Sequence, residues 1–122
     1  MTICIATDGY PPQIGGITTF NKHLVTVLLE AGHTVIILYL DYGTETEDKI
    51  ITEGALTRVI LSRSYQTHYK SWQPYFRPGG FDAPNRIAIG MAMRDWILAN
   101  HQHYKIDIIE VSDYGGAAIF LC

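Results

Sequence analysis

The first forty residues alternate apolar runs with glycine-marked breaks, and that alternation constrains the fold more than any other feature of the chain. Thr2 to Ala6 is a short apolar run. Buried parallel strands look like this because both of their faces are covered. The run ends at Asp8-Gly9, and Pro11-Pro12 and Gly15-Gly16 follow. Proline fixes φ and glycine frees it, so the segment reads as a shaped loop. Ile17, Phe20, Leu24, Val27, Leu28 and Ala31 then recur at helical spacing, with Thr18 or Thr19 able to cap the helix start. Gly32 stops the helix at a C′-like position, and Val35 to Leu40 is a second buried strand. Strand, glycine loop, helix, strand is one βαβ unit, whose crossover is expected to be right-handed.

Asp41 to Asp48 is polar and reads as a loop. Ile50-Ile51 and Arg58 to Leu61 form a strand pair turning at Gly54. Ser62 to Pro84 is expected to be an irregular, aromatic-rich loop broken by Pro78-Gly79-Gly80. Asn85 to His103 reads as a second long helix. Ile87, Met91, Arg94 and Leu98 mark one side of it, and Ile89, Met93, Trp96 and Ile97 mark another, which points to a largely buried element. Ile106 to Val111 is a further strand, Ser112 to Gly116 a loop, and Ala117 to Cys122 the first turns of another helix. The pattern is that of one α/β domain over residues 1–122, a parallel sheet with flanking helices. The uncapped apolar end is read as a truncation. An incomplete sheet edge is expected to expose apolar surface and to favour self-association.

A chain of 122 residues suffices for one domain, and 48% hydrophobic with 17% charged residues argues against disorder. A net charge of -3 and a pI near 5.9 leave no electrostatic footprint for nucleic acid. Cys4 sits in an apolar strand and reads as a buried thiol, Cys122 is the last residue, and no metal-ligand spacing is present. There is no positive n-region, and no apolar run approaches the roughly 20 residues that span a bilayer. A cytoplasmic protein is expected, with peripheral docking at a membrane through another portion as the alternative.

In open α/β sheets ligands bind beyond the carboxyl ends of the strands. Two segments meet that description, Asp8 to Gly16 and Ser112 to Gly116. Gly15 and Gly16 stand immediately before a helix, where free N–H groups and the partial positive charge suit phosphate and glycine allows close approach. The bland reading is a tight turn that starts a helix, and the two weigh evenly. The pattern is neither G-x-G-x-x-G nor a Walker A loop. Asp113, between Ser112 and Tyr114, can orient a hydroxyl or accept its proton, or simply cap the following helix. Glu110 is expected to be a surface charge. His101 and His103 suit a helix C-terminus on dipole grounds alone, His23 and His33 read as surface residues, and His68 has no assigned role. Tyr65, Tyr69, Trp72, Tyr75, Phe76 and Phe81 could stack on sugars or bases, but more often such a cluster packs a long loop.

The order of these pieces carries a resemblance. Asp8-Gly9-Tyr10-Pro11-Pro12-Gln13-Ile14-Gly15-Gly16-Ile17 resembles the D-x-Y-P-P-x-x-G-G opening of family 4 glycosyltransferases. Glu30-Ala31-Gly32-His33-Thr34-Val35 is similar to their helix end and G-H-x-V step, and Asp107 to Gly116 to their D-V-I-E-x-x-D/E-x-G segment. The resemblance implies the N-terminal, Rossmann-like lobe of a GT-B fold, whose two lobes face a cleft. It implies transfer of a sugar from a nucleotide-sugar donor to a sugar or lipid-linked acceptor, with retention and with neither metal nor cofactor. By position, Gly15 and Gly16 would lie at the donor diphosphate, and Asp113 and Tyr114 near the acceptor, with Asp113 the candidate catalytic residue. Many relatives carry histidines where this chain has Glu110 and Ser112, so no histidine role is carried over.

The C-terminal lobe that mainly holds the nucleotide-sugar has no counterpart in this sequence, so the chain alone is expected to be inactive. Two other readings stay open. One is half of a split glycosyltransferase. The other is a non-catalytic nucleotide- or phosphate-binding module of Rossmann or flavodoxin-like type.

Overall fold

A computed structural model of the chain describes residues 1–7, 16–40, 47–76 and 83–111. Five strands form one sheet, β1 (Thr2–Ala6), β2 (Thr34–Tyr39), β3 (Lys49–Glu53), β4 (Leu56–Ile60) and β5 (Ile108–Val111), in the order β3-β4-β2-β1-β5. β4, β2, β1 and β5 run parallel, and only β3 is antiparallel, to β4. The helices are α1 (Gly16–Glu30), α2 (Ser62–Trp72) and α3 (Ala83–Tyr104), with a short 3₁₀ turn at Gln73–Tyr75. The mostly parallel, helix-flanked sheet is the Rossmann-like α/β class read from the sequence.

Strand geometry divides the core in two, because alternate side chains point to opposite faces. Ile3, Ile5, Val35, Ile37 and Tyr39 pack with Val25, Leu24, Leu28 and Leu29 of α1 on one face. Cys4, Ala6, Ile36, Leu38, Leu40, Val59 and Leu61 pack with Ile89, Ala92, Met93 and Ile97 of α3 on the other, where Tyr65 of α2 also joins. Runs such as Val35 to Leu40 are buried on both faces, which is why they lack alternation in sequence.

Several boundaries fall where the sequence placed them. α1 ends as expected at Gly32, whose φ is +88°, with Gly32 N–H donating to the Leu29 carbonyl and His33 N–H to the Leu28 carbonyl. These paired bonds close the last turn in the Schellman manner. The hairpin turns at Gly54, with φ +62° and Glu53 opposite Leu56.

Several expectations are corrected. The stretch from Ser62 is helical through Trp72, not irregular. Its residues are polar and aromatic, so no aliphatic periodicity betrays it, yet Tyr65 and Trp72 lie seven apart and both meet α3. The buried stripe of α1 is Thr18, Asn21 and Val25, while Phe20 and Val27 are 61% and 60% exposed. Of the apolar residues in the helical spacing, Leu24 and Leu28 do pack on the sheet, while Phe20 and Val27 turn away from it. Thr18 and Thr19 lie inside the first turn rather than capping it. α3 is buried along Ala88, Ile89, Ala92, Met93 and Ile97, but Arg94 and Leu98 face solvent, so it is one-sided beyond its first turns.

β5 spans Ile108–Val111, shorter than the Ile106–Val111 expected, and it is an edge strand with Ile108 and Ile109 partly exposed. Among the described residues, no helix is long and apolar enough to cross a membrane.

Candidate functional site at the carboxyl rim of the sheet

The site follows from strand order. From β1 the chain moves first to β2 on one side and later returns to β5 on the other. The order therefore reverses between β1 and β5, and in open α/β sheets the crevice outside such a reversal is where ligands bind. The register sets Ala6 beside Val111, so the two strands end level with one another. Neighbouring strands are separated by about 4.8 Å. The segments that follow them, residues 8–15 and 112–116, thus leave from adjacent points on one rim. Gly15, Asp113 and Tyr114 lie outside the described residues. Gly16 lies within them, as the exposed first residue of α1. A Cβ built on Gly16 meets nothing within 4 Å among the described residues.

Beneath the rim the core turns polar. Thr7, the residue after β1, is fully buried, and its N–H donates to the Leu38 carbonyl at 3.0 Å, extending the parallel ladder by one step. Its hydroxyl accepts a 2.8 Å hydrogen bond from the amide of Asn21, which is 4% exposed. Sequence reasoning missed both residues, because it equated burial with apolar character. The available signal was the 18, 21, 25, 28 spacing on α1, which is helical once Thr and Asn are allowed on the buried side.

A second group lies where β4 runs into α2. Leu61 N–H donates to the Tyr39 carbonyl at 3.0 Å, and the buried Ser62 hydroxyl has no hydrogen-bond partner among the described residues. No side chain of the helix itself caps α2. Instead the Asp48 carboxylate accepts from the Ser64 N–H at 3.1 Å and from the Ser64 hydroxyl. That helix start is already occupied by an anion of the chain's own, as its dipole favours. Tyr65 donates its hydroxyl proton to Asn85, His68 Nε2 pairs with Asp95 at 2.7 Å, and Trp72 donates its indole N–H to Met91 sulfur at 3.2 Å. His68 and the aromatics Tyr65 and Trp72 therefore join α2 to α3. Phe81, the last of that series, lies outside the described residues.

Away from the rim, Arg58 binds Glu53 at 2.6 Å and reaches the Tyr39 hydroxyl at 3.4 Å. The Glu53 hydrogen bond holds the guanidinium more firmly protonated, with partial burial opposing and Tyr39 assisting. His23, His101 and His103 are exposed, as is Glu110, which is the surface charge expected of it. Among the described residues, no three His, Cys, Asp or Glu side chains gather as a metal site would require.

The described rim can bind more readily than it can transfer protons. It has a helix start with its backbone amides, which suit an anionic group, while Thr7, Thr18 and Asn21 are buried beneath it.

No protein-family model matches the chain, and no curated protein matches it. Among solved structures, one described as trehalose-6-phosphate from E. coli bound with UDP-2-fluoro glucose is similar to it at a TM-score of 0.46 and 18% identity. The likeness covers 99% of this chain and 30% of that one, so the chain spans under a third of that structure's length.

Proposed function

We propose that the chain is the acceptor-side part of a GT-B-type glycosyltransferase, acting on a nucleotide-sugar donor. The observation that carries this reading is the level ending of β1 and β5 at the reversal of strand order, with α1 opening at Gly16 beside it. Two of the three sequence stretches that resemble family 4 glycosyltransferases, residues 8–17 and 107–116, include the segments that follow β1 and β5.

In this reading Gly15 and Gly16 bring backbone N–H groups to the donor diphosphate. Preorganised donors aimed at the leaving group stabilise the charge it gains as the glycosidic bond breaks. Asp113 and Tyr114 meet the acceptor from the adjoining segment, and Asp113 can orient its hydroxyl or take its proton. The donor's nucleotide is held by a second lobe, supplied by the same or a separate polypeptide. Transfer requires the two substrates in register between both lobes, so this chain alone does not turn over.

The test is release of nucleoside diphosphate from a panel of nucleotide-sugars by the product of the open reading frame that contains this sequence. Acceptor-dependent release supports the reading. Tight binding of a flavin or a free nucleotide without any transfer supports a non-catalytic binding module instead.

A further inference from the structure

The buried stripe of α1 changes character along its length. At the far end it is Val25 with Leu24, Leu28 and Leu29, and at the rim end it is Thr18 and Asn21. Apolar side chains would serve the first two turns equally well as packing, and burying an amide and a hydroxyl is unfavourable unless they bond each other. Here they do, at 2.8 Å, and Thr7 is itself tied to β2 through its N–H. Dispersion contacts are non-directional, so a helix on an apolar face can shift or rotate by fractions of an ångström at little cost. A buried hydrogen bond has a fixed length and direction, and in a low-dielectric interior it is strict about both.

We infer that Thr7 and Asn21 are a positioning pair, which fixes the axial register and rotation of α1 against the end of β1 and so sets where Gly16 and the first amides of the helix stand at the rim. The inference rests on the diphosphate reading of that rim. These two are a positioning pair rather than a ligand contact, and they act on the rim through α1. Bonding within the pair, and not added stability, is its contribution. Replacing both members by apolar residues of similar size preserves the fold while loosening the placement of the helix start, because productive sites depend on supporting hydrogen bonds beneath the groups that bind.

The experiment titrates inorganic pyrophosphate into the full chain and follows the backbone amides of Gly16 and Thr18 by NMR. The wild type, Thr7→Ser, Thr7→Val, and the Thr7→Val/Asn21→Leu double variant are compared. The wild type and Thr7→Ser, which keeps the accepting hydroxyl, are expected to show saturating shifts at these amides with similar affinity. Thr7→Val and the double variant are expected to bind roughly tenfold more weakly, the usual scale for removing a supporting hydrogen bond behind a ligand site. Amide protection across β1 and β2 is expected to be unchanged in the double variant, whereas Thr7→Val alone, which takes this acceptor from a buried amide, is expected to lose some of it. Variants that bind pyrophosphate as the wild type does overturn the positioning role and leave the diphosphate reading standing. In the double variant, weakened binding that comes with lost protection in β1 and β2 also overturns it, since the pair would then be structural only. A wild-type chain whose Gly16 and Thr18 amides do not respond overturns the diphosphate reading together with this inference.

Discussion

Gly32 and Lys105 occupy equivalent positions after α1 and α3. Lys105 N–H donates to the Gln102 carbonyl and Ile106 N–H to the His101 carbonyl, repeating the bonds made at Gly32, and its φ is +53°. A side chain in this region costs about 1–2 kcal/mol relative to glycine. Gly32→Ala is therefore expected to destabilise by about 1 kcal/mol. Its Cβ would meet nothing within 4 Å, so the loss is backbone strain alone. Lys105→Gly is expected to stabilise by up to about 1 kcal/mol, offset in part by the added freedom of the unfolded chain. Urea midpoints of the two variants check both signs. The first helix end was legible because glycine announces it, and the second was not because lysine carries no such signal. Ser62 belongs to the same scale. A buried hydroxyl left unbonded costs about 1–3 kcal/mol, so Ser62→Ala is expected to be neutral or stabilising, and a loss above about 1 kcal/mol would reveal a partner for it. Burial pushes the Cys4 thiol from 9.0 up to about 12. The unfolded thiol ionises first, so this contribution to stability is complete below pH 9.0 and is lost as the pH climbs towards 12. At pH 8 a thiol reagent is accordingly expected to modify Cys4 only in unfolded chains.

Among the elements, the strands were the easiest to read, since a parallel strand covered on both faces leaves an unbroken apolar run. The helices were harder, for reasons visible in two of them. In α1 the apolar spacing included Phe20 and Val27, which are exposed, as well as Leu24 and Leu28, which pack on the sheet beside the buried Thr18, Asn21 and Val25. Phe20→Ser is therefore expected to change stability by no more than about 0.5 kcal/mol, while Val25→Ala costs about 1–3 kcal/mol in thermal unfolding. The opposite order would restore the face suggested by periodicity. In α2 the contacts are made by Tyr65, His68 and Trp72, which no aliphatic pattern could flag. The partly exposed His68–Asp95 pair is worth about 0.2–1 kcal/mol of coupling between α2 and α3, measurable by a double-mutant cycle with His68→Ala and Asp95→Ala. The glycine motif was legible as a loop before a helix. The polar pair beneath it was not, because its partners are 14 residues apart and meet only once the helix has folded back on the sheet.

At the scale of the whole molecule, function depends on which strand ends share a rim, and this is a property of topology. The parallel pairing of β5 with β1, rather than with a strand beyond β2, ends β5 at Val111 level with Ala6 of β1. No local pattern in the sequence encodes that choice, although the order of the motifs anticipated it. The most direct measurement of the central claim is nucleoside diphosphate release by the whole gene product carrying Gly16→Val, compared with wild type. Among the described residues nothing lies within 4 Å of the new Cβ, and thermal unfolding of the variant separates a blocked ligand from a disturbed fold. The account expects normal thermal unfolding and a fall in release of roughly 100-fold, the effect of displacing a reacting group by about 1 Å. Release at the wild-type rate would place the donor diphosphate elsewhere and contradict it.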